Sequence, residues 1–182
     1  MSPVGVWTKR VRKWWPILLA LALLAAGLGT WWRMGRLPPV GAQVGQRAPD
    51  FTLTTLDDQP VSLADFRGQV VLIEFWQSTC PDCLVSLPHV AELARSFQGR
   101  GLVVLGVNLD HDPQAAQAAV DQMGLAEVMI TLGGDLEKAM DVVDLFEVPL
   151  VPHVVLIDRR GIIRFSATFP ERITPDIIEK WL

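Results

Sequence analysis

The feature that constrains this chain most is the run Val70-Val-Leu-Ile-Glu-Phe-Trp76, followed almost at once by Cys80-Pro-Asp-Cys83. A nearly continuous apolar run of this length is typical of a strand covered on both faces. Beyond it, Leu84, Leu87, Ala91, Ala94 and Gln98 fall on one stripe, with Val90 and Phe97 on its flank, so a helix starts at the cysteines. Pro88 is expected to kink that helix, because it removes a backbone donor. The two thiols therefore sit where a buried strand hands over to a helix. They are the only cysteines of the 182-residue chain. A disulfide framework would need more, at wider spacing, and a structural zinc site would need two further ligands. The pair reads as chemical rather than architectural.

The pattern around this junction is that of one α/β domain. Phe51–Thr54 and Val61–Leu63 predict a hairpin across the turn 57–60, and Gly101–Asn108 a second buried strand. Asp112-Pro113 opens a helix running to about Met123, with Asp at the cap and Pro in the first turn. A short strand over 128–132, a short helix over 135–145, a hairpin of Val154–Asp158 with Ile162–Phe165, and a helix capped by Thr174 and running to Leu182 complete it. The sheet is expected to be of mixed direction.

Charge and hydropathy divide the chain. Of its 16 Lys and Arg, six (Lys9, Arg10, Arg12, Lys13, Arg33, Arg36) lie within residues 1–36, which hold no acid. The body keeps 10 basic against 20 acidic residues, net −10 with His neutral. Such a surface repels nucleic acid and anionic lipid and argues against either as a partner. Residues 14–32 carry no charge and begin and end with Trp pairs. That length crosses the ~30 Å hydrocarbon core, with the indoles at the interfaces. More basic residues precede the span than follow it, which predicts a cytoplasmic N-terminus (1–13), a signal anchor (14–32), a linker (33–45) and an extracytoplasmic domain (46–182). The competing reading is a signal peptide cleaved near Ala25-Ala26-Gly27; that site falls inside the apolar run.

Gly45-Gln-Arg-Ala-Pro-Asp-Phe-Thr-Leu53, Val61-Ser-Leu-Ala-Asp-Phe-Arg-Gly68, Val70…Trp76, Cys80-Pro-Asp-Cys83, Val151-Pro152 and Ile157-Asp158…Gly161 together resemble the TlpA/ResA/CcmG group of membrane-tethered disulfide reductases. The resemblance runs from Gly45 to the C-terminus. It implies a thioredoxin-like fold, a mixed sheet flanked by helices with an N-terminal β-hairpin extension, and a thiol–disulfide oxidoreductase that works without a cofactor. It also implies a redox-active Cys80–Cys83 disulfide. Helix N–H groups and the macrodipole stabilise a thiolate at Cys80 below the ~8.5 of free Cys, making it the nucleophile. Cys83, one turn on and more buried, resolves the mixed disulfide, while the charge of Asp82 partly opposes the depression. Glu74 stands six residues before Cys80, where thioredoxins hold a buried acid that takes the proton of the second cysteine. Burial raises the pKa of such an acid. Pro152 resembles the fold's cis-proline, with Val151 offering backbone to an extended substrate and Trp76 and Thr79 completing the docking surface. The implied partners are exported proteins, with cytochrome c maturation as one setting, and a CcdA-like membrane thiol transporter as electron donor to a monomeric protein.

The chain departs from the family pattern at Thr79 (usually Trp), Ser86 (usually Glu), Leu150 (usually Gly) and His153 (usually Thr). Two other readings remain open at this level. Two thiolates plus His153 can hold Cu(I), a soft ion, which would make the protein a copper carrier. A peroxiredoxin has similar first strands, but needs Thr or Ser where Gln77 stands. His89 and His111 read as packing or surface residues.

Overall fold

The computed structural model describes residues 17–24 and 37–182. Residues 17–24 form a short apolar helix. The rest of the expected anchor 14–32, and its basic flank 1–13, lie outside the described residues. Among the described residues, no helix is long and apolar enough to cross a membrane.

The body, Pro38–Leu182, is a five-stranded sheet of order β5-β4-β3-β6-β7. Its strands are β3 (Val70–Trp76), β4 (Leu102–Asn108), β5 (Ile130–Leu132), β6 (His153–Ile157) and β7 (Ile163–Thr168). β3, β4 and β5 run parallel; on the other side of β3, β6 pairs antiparallel with it and β7 antiparallel with β6. The hairpin β1 (Thr52–Thr54) with β2 (Pro60–Ser62) stands apart and reaches the sheet edge through a bridge from Thr55 to Leu132. The segment Pro38–Gly45, read as linker, is held against the body: Val40 bridges to Arg47, Arg47 to Ile162, and Gly45 N–H donates to Ile163 O at 2.8 Å.

Central β3 is buried at every position, and its period of two divides the core. Val70, Leu72 and Trp76 join one cluster with Cys83, Leu87 and Val90 of α1 (Pro81–Ser96), Ala116 and Val120 of α2 (Pro113–Met123) and Ile178 of α4 (Pro175–Glu179). Val71, Ile73 and Phe75 join the other, with Ala139 and Val142 of α3 (Leu136–Leu145) and with Phe51 and Leu53 of the hairpin. Glu74, in register with Leu72 and Trp76, therefore belongs to the face that α1 covers.

Pro88 lies inside α1 without interrupting it. It is exposed there, so the carbonyl of Leu84, which loses its helical donor, is left on the solvent side. One expectation, the extent of the last helix, needs adjustment. The last helix stops at Glu179 rather than Leu182, and Thr174 holds its N-cap position without a side-chain cap bond. Beyond it, the ring of Trp181 is taken up by Arg164, whose guanidinium carbon lies 4.1 Å from the ring centroid.

Candidate active site

The site forms where β3 ends. Cys80 is the N-cap of α1, with φ −88° and ψ 112°, and Pro81 takes the first helical position, where its missing N–H costs nothing. Cys83 N–H donates to Cys80 Sγ at 3.2 Å. An N-cap sulfur accepting a helix N–H is in the place where negative charge is best stabilised. The two cysteines are joined as a disulfide with Cα atoms 5.2 Å apart. Cys80 is half-buried and Cys83 fully buried, so only one sulfur faces the surface. Asp82 and Thr79 are exposed beside it.

Glu74 lies beneath the helix and is completely buried. Ser86, one turn after Cys83, places Oγ 2.7 Å from Glu74 Oε1 and 3.0 Å from Cys83 O. The second carboxyl oxygen, Oε2, has no partner. Desolvation pushes the Glu74 pKa up to about 8, with the Ser86 hydrogen bond pulling in the opposite direction. A carboxyl that holds its proton into the neutral range thus sits on the face of the sheet that carries Cys83.

The Val151–Pro152 bond is cis. Register explains where it lies: Phe75 pairs with His153, so the residues before His153 extend past the end of β3 toward the cysteines. Val151 O is 3.9 Å from Cys80 Sγ. A groove of about 340 Å³ opens beside the pair, lined by Asp82, Val85, Ser86, His89, Pro152, Phe169 and Glu171.

Two sequence assignments are corrected. Trp76, expected on the docking surface, is fully buried. Its indole lies over Gly106, where a β-carbon would come within 3.0 Å of Nε1 and 2.7 Å of Met129 Sδ. Trp76 is core. His153 does not join the cysteines, because alternation along β6 turns it to the face opposite Glu74 and Cys83. Its ring is 6.5 Å from that of Phe75, its nitrogens lie 2.9 Å from Ser166 Oγ and 3.4 Å from Thr168 Oγ1, and burial lowers its pKa. Among the described residues no cluster of three or more His, Cys, Asp or Glu could hold a metal, so His153 adds no third ligand to the two sulfurs. His89 Nε2 lies 3.0 Å from Ile173 O, tying α1 to the segment before α4, and His111 is exposed.

Sequence reasoning missed Asp110. Parallel pairing sets the ends of β3 and β4 side by side, Trp76 opposite Asn108, and the buried Asp110 carboxylate then accepts from Ser78 N–H, Ser78 Oγ and Asn108 Nδ2 at 2.8–3.1 Å. It clamps the loop 77–79 that delivers Cys80. Nothing in a lone Asp after an apolar strand signals this, since Ser78 is 32 residues away. Asp110→Ala is expected to cost about 2–4 kcal/mol, because several donors lose a charged acceptor at once. Urea unfolding of the oxidised protein measures it; a loss under about 0.5 kcal/mol would remove the clamp from consideration.

The model of the AhpC/TSA family matches residues 44–166. This chain belongs to that family. It is 26% identical over 151 residues to the thiol-disulfide oxidoreductase ResA of Halalkalibacterium halodurans, covering 82% of this chain and 83% of that one. With ResA of Bacillus thuringiensis subsp. konkukian it shares 30% over 120 residues, 65% of this chain and 66% of the relative. The thioredoxin domain of a thiol-disulfide oxidoreductase from Bacteroides vulgatus superposes with a TM-score of 0.68 at 25% identity, over 76% of this chain and 96% of that one. A Chlorobium tepidum structure assigned as the thiol:disulfide interchange protein DsbE gives 0.63 at 27%, over 77% and 93%. The AhpC/TSA member described here is thus of the TlpA/ResA/CcmG type, with a thioredoxin-like fold and the chemistry of a disulfide oxidoreductase.

Proposed function

We propose that this AhpC/TSA protein reduces disulfides of exported proteins on the outer side of the cytoplasmic membrane. The observation that carries the reading is the asymmetry of the pair: Cys80 at the helix cap is partly exposed beside Val151 O, and Cys83 is fully buried one turn before Ser86, which bonds a high-pKa carboxyl. In the dithiol form, the Cys80 thiolate attacks one sulfur of a substrate disulfide. The substrate S–S bond breaks, a Cys80–substrate mixed disulfide forms, and the departing thiolate takes up a proton. Cys83 then gives its proton to Glu74 in the fraction of molecules where that carboxyl is ionised, and attacks Cys80 Sγ. The substrate leaves as its second thiol, and the Cys80–Cys83 bond closes. Two electrons have passed from enzyme to substrate.

Val151, beside the cis bond, offers backbone to an extended segment as an added strand would. Val85 (78% exposed) and Phe169 (47% exposed) present apolar surface in the groove, and Thr79 flanks Cys80. The charge pattern of residues 1–36 supports an anchor with its N-terminus inside, and a compartment without cytosolic reductant requires a membrane thiol donor of the CcdA kind. Cytochrome c maturation is the setting that the resemblance of the motifs to the TlpA/ResA/CcmG group implies.

Equilibration of the full-length protein with dithiothreitol buffers tests the direction. A potential near or below about −270 mV, the thioredoxin value, is expected. One close to about −120 mV, as in the oxidant DsbA, would reverse the assignment to disulfide formation.

A further inference from the structure

We infer that Ser86 is a positioning residue whose single hydroxyl proton switches between Glu74 and the carbonyl of Cys83, coupling the charge on Glu74 to the helix turn that carries the resolving cysteine. The geometry is specific. Ser86 Oγ lies within hydrogen-bond range of both acceptors, 2.7 Å from Glu74 Oε1 and 3.0 Å from Cys83 O, yet a hydroxyl has one proton to donate. With Glu74 protonated, its own O–H donates to Ser86 Oγ and Ser86 donates to Cys83 O. With Glu74 ionised, Ser86 must turn its proton to the carboxylate and release the carbonyl. Among the described residues Ser86 is the one hydrogen-bond partner of Glu74, whose other oxygen has none. The remaining neighbours cannot substitute: Gly106 and Val154 flank Glu74 in the sheet, and neither titrates. Across α1 the only thiol is Cys83, now in the disulfide. Asp82, His89 and Glu171 line the groove on the outer side of Ser86.

In the dithiol form this arrangement readies Glu74 for the proton of Cys83, a consequence that rests on the function proposed above. The coupling itself does not, and the two are separable by experiment. The Glu74 carboxyl carbon is followed by NMR across pH in the oxidised full-length protein, where no thiol titrates. Ser86→Ala is expected to raise the Glu74 midpoint by about 1 pH unit, a tenfold change, because the ionised form loses its only donor. Ser86→Thr, which keeps the hydroxyl, is expected to restore it, and so also controls for packing. An unchanged midpoint in Ser86→Ala, or no rescue by Thr, overturns the inference. The pH profile of disulfide exchange by the same variants then addresses Glu74. A profile that moves with the midpoint supports proton transfer through it; a midpoint that moves under a fixed profile leaves the Ser86 coupling standing and removes Glu74 as the acceptor.

Discussion

Cys80→Ser is expected to lower disulfide exchange about a thousandfold or more, to the background of the added dithiol. An alcohol is not ionised at neutral pH and forms no disulfide, so both nucleophile and covalent intermediate disappear together. The loss should exceed that of any other single change, because the N-cap geometry, the cis-bonded Val151 edge and the buried Cys83 all act through this one sulfur. Cys83→Ser should behave differently. First attack survives, resolution does not, and a mixed disulfide accumulates on Cys80 that a nonreducing gel and mass spectrometry detect. Stopped-flow exchange with a model disulfide provides the rates. A Cys80→Ser protein retaining more than about a tenth of wild-type activity would place the nucleophile elsewhere.

The second large effect concerns Glu74. Its carboxyl keeps a proton in the folded protein up to about pH 8, against the ordinary 4.5 of a solvated Glu. Between those values the native state binds one proton more than the unfolded chain, so stability falls as pH rises through that window and levels off above it. The expected decline attributable to Glu74 is about 5 kcal/mol. Glu74→Gln removes the titration. The difference in unfolding free energy between variant and wild type, both oxidised, should therefore shift in favour of the variant from pH 5 to pH 8.5. Comparing the two proteins cancels the other carboxylates. The same variant should slow resolution of the mixed disulfide by about a hundredfold at pH 8.5, where wild-type Glu74 is largely ionised and can act as general base, and by less at pH 7. A stability difference that stays constant across pH would mean that Glu74 is ionised in the fold or is reached by solvent.

Much of this site follows from local chemistry in the chain. A buried strand ending at a cysteine pair, with an amphipathic stripe beyond it, can hardly put its sulfurs anywhere but a helix start. An acid at an even spacing within that strand shares a face with every second neighbour. The failures are equally local in cause. Trp76 sits at the strand end, where the family resemblance implied a docking role. Strand alternation, together with the space left by Gly106, draws its indole into the core. His153 immediately follows the cis-bonded Pro152, yet one residue of register reverses its face and spends its nitrogens on Ser166 and Thr168.

The amino-acid order alone was sufficient for the α/β alternation, the placing of the cysteine pair at a strand-to-helix junction and the burial of Glu74, because each depends on spacing within one or two adjacent elements, while the resemblance of its motifs pointed to the thioredoxin-like fold and to Pro152. Tertiary structure decided the rest. Parallel pairing of β3 with β4 brings Asp110 to the cysteine loop, antiparallel pairing with β6 brings Val151 to Cys80, and the seating of α1 on β3 puts a serine hydroxyl between Glu74 and Cys83. Those contacts join residues 12 to 71 positions apart, and their hydrogen bonds are only a few ångströms long. Distances that short between residues that far apart are set by sheet register and helix packing, which no local pattern encodes.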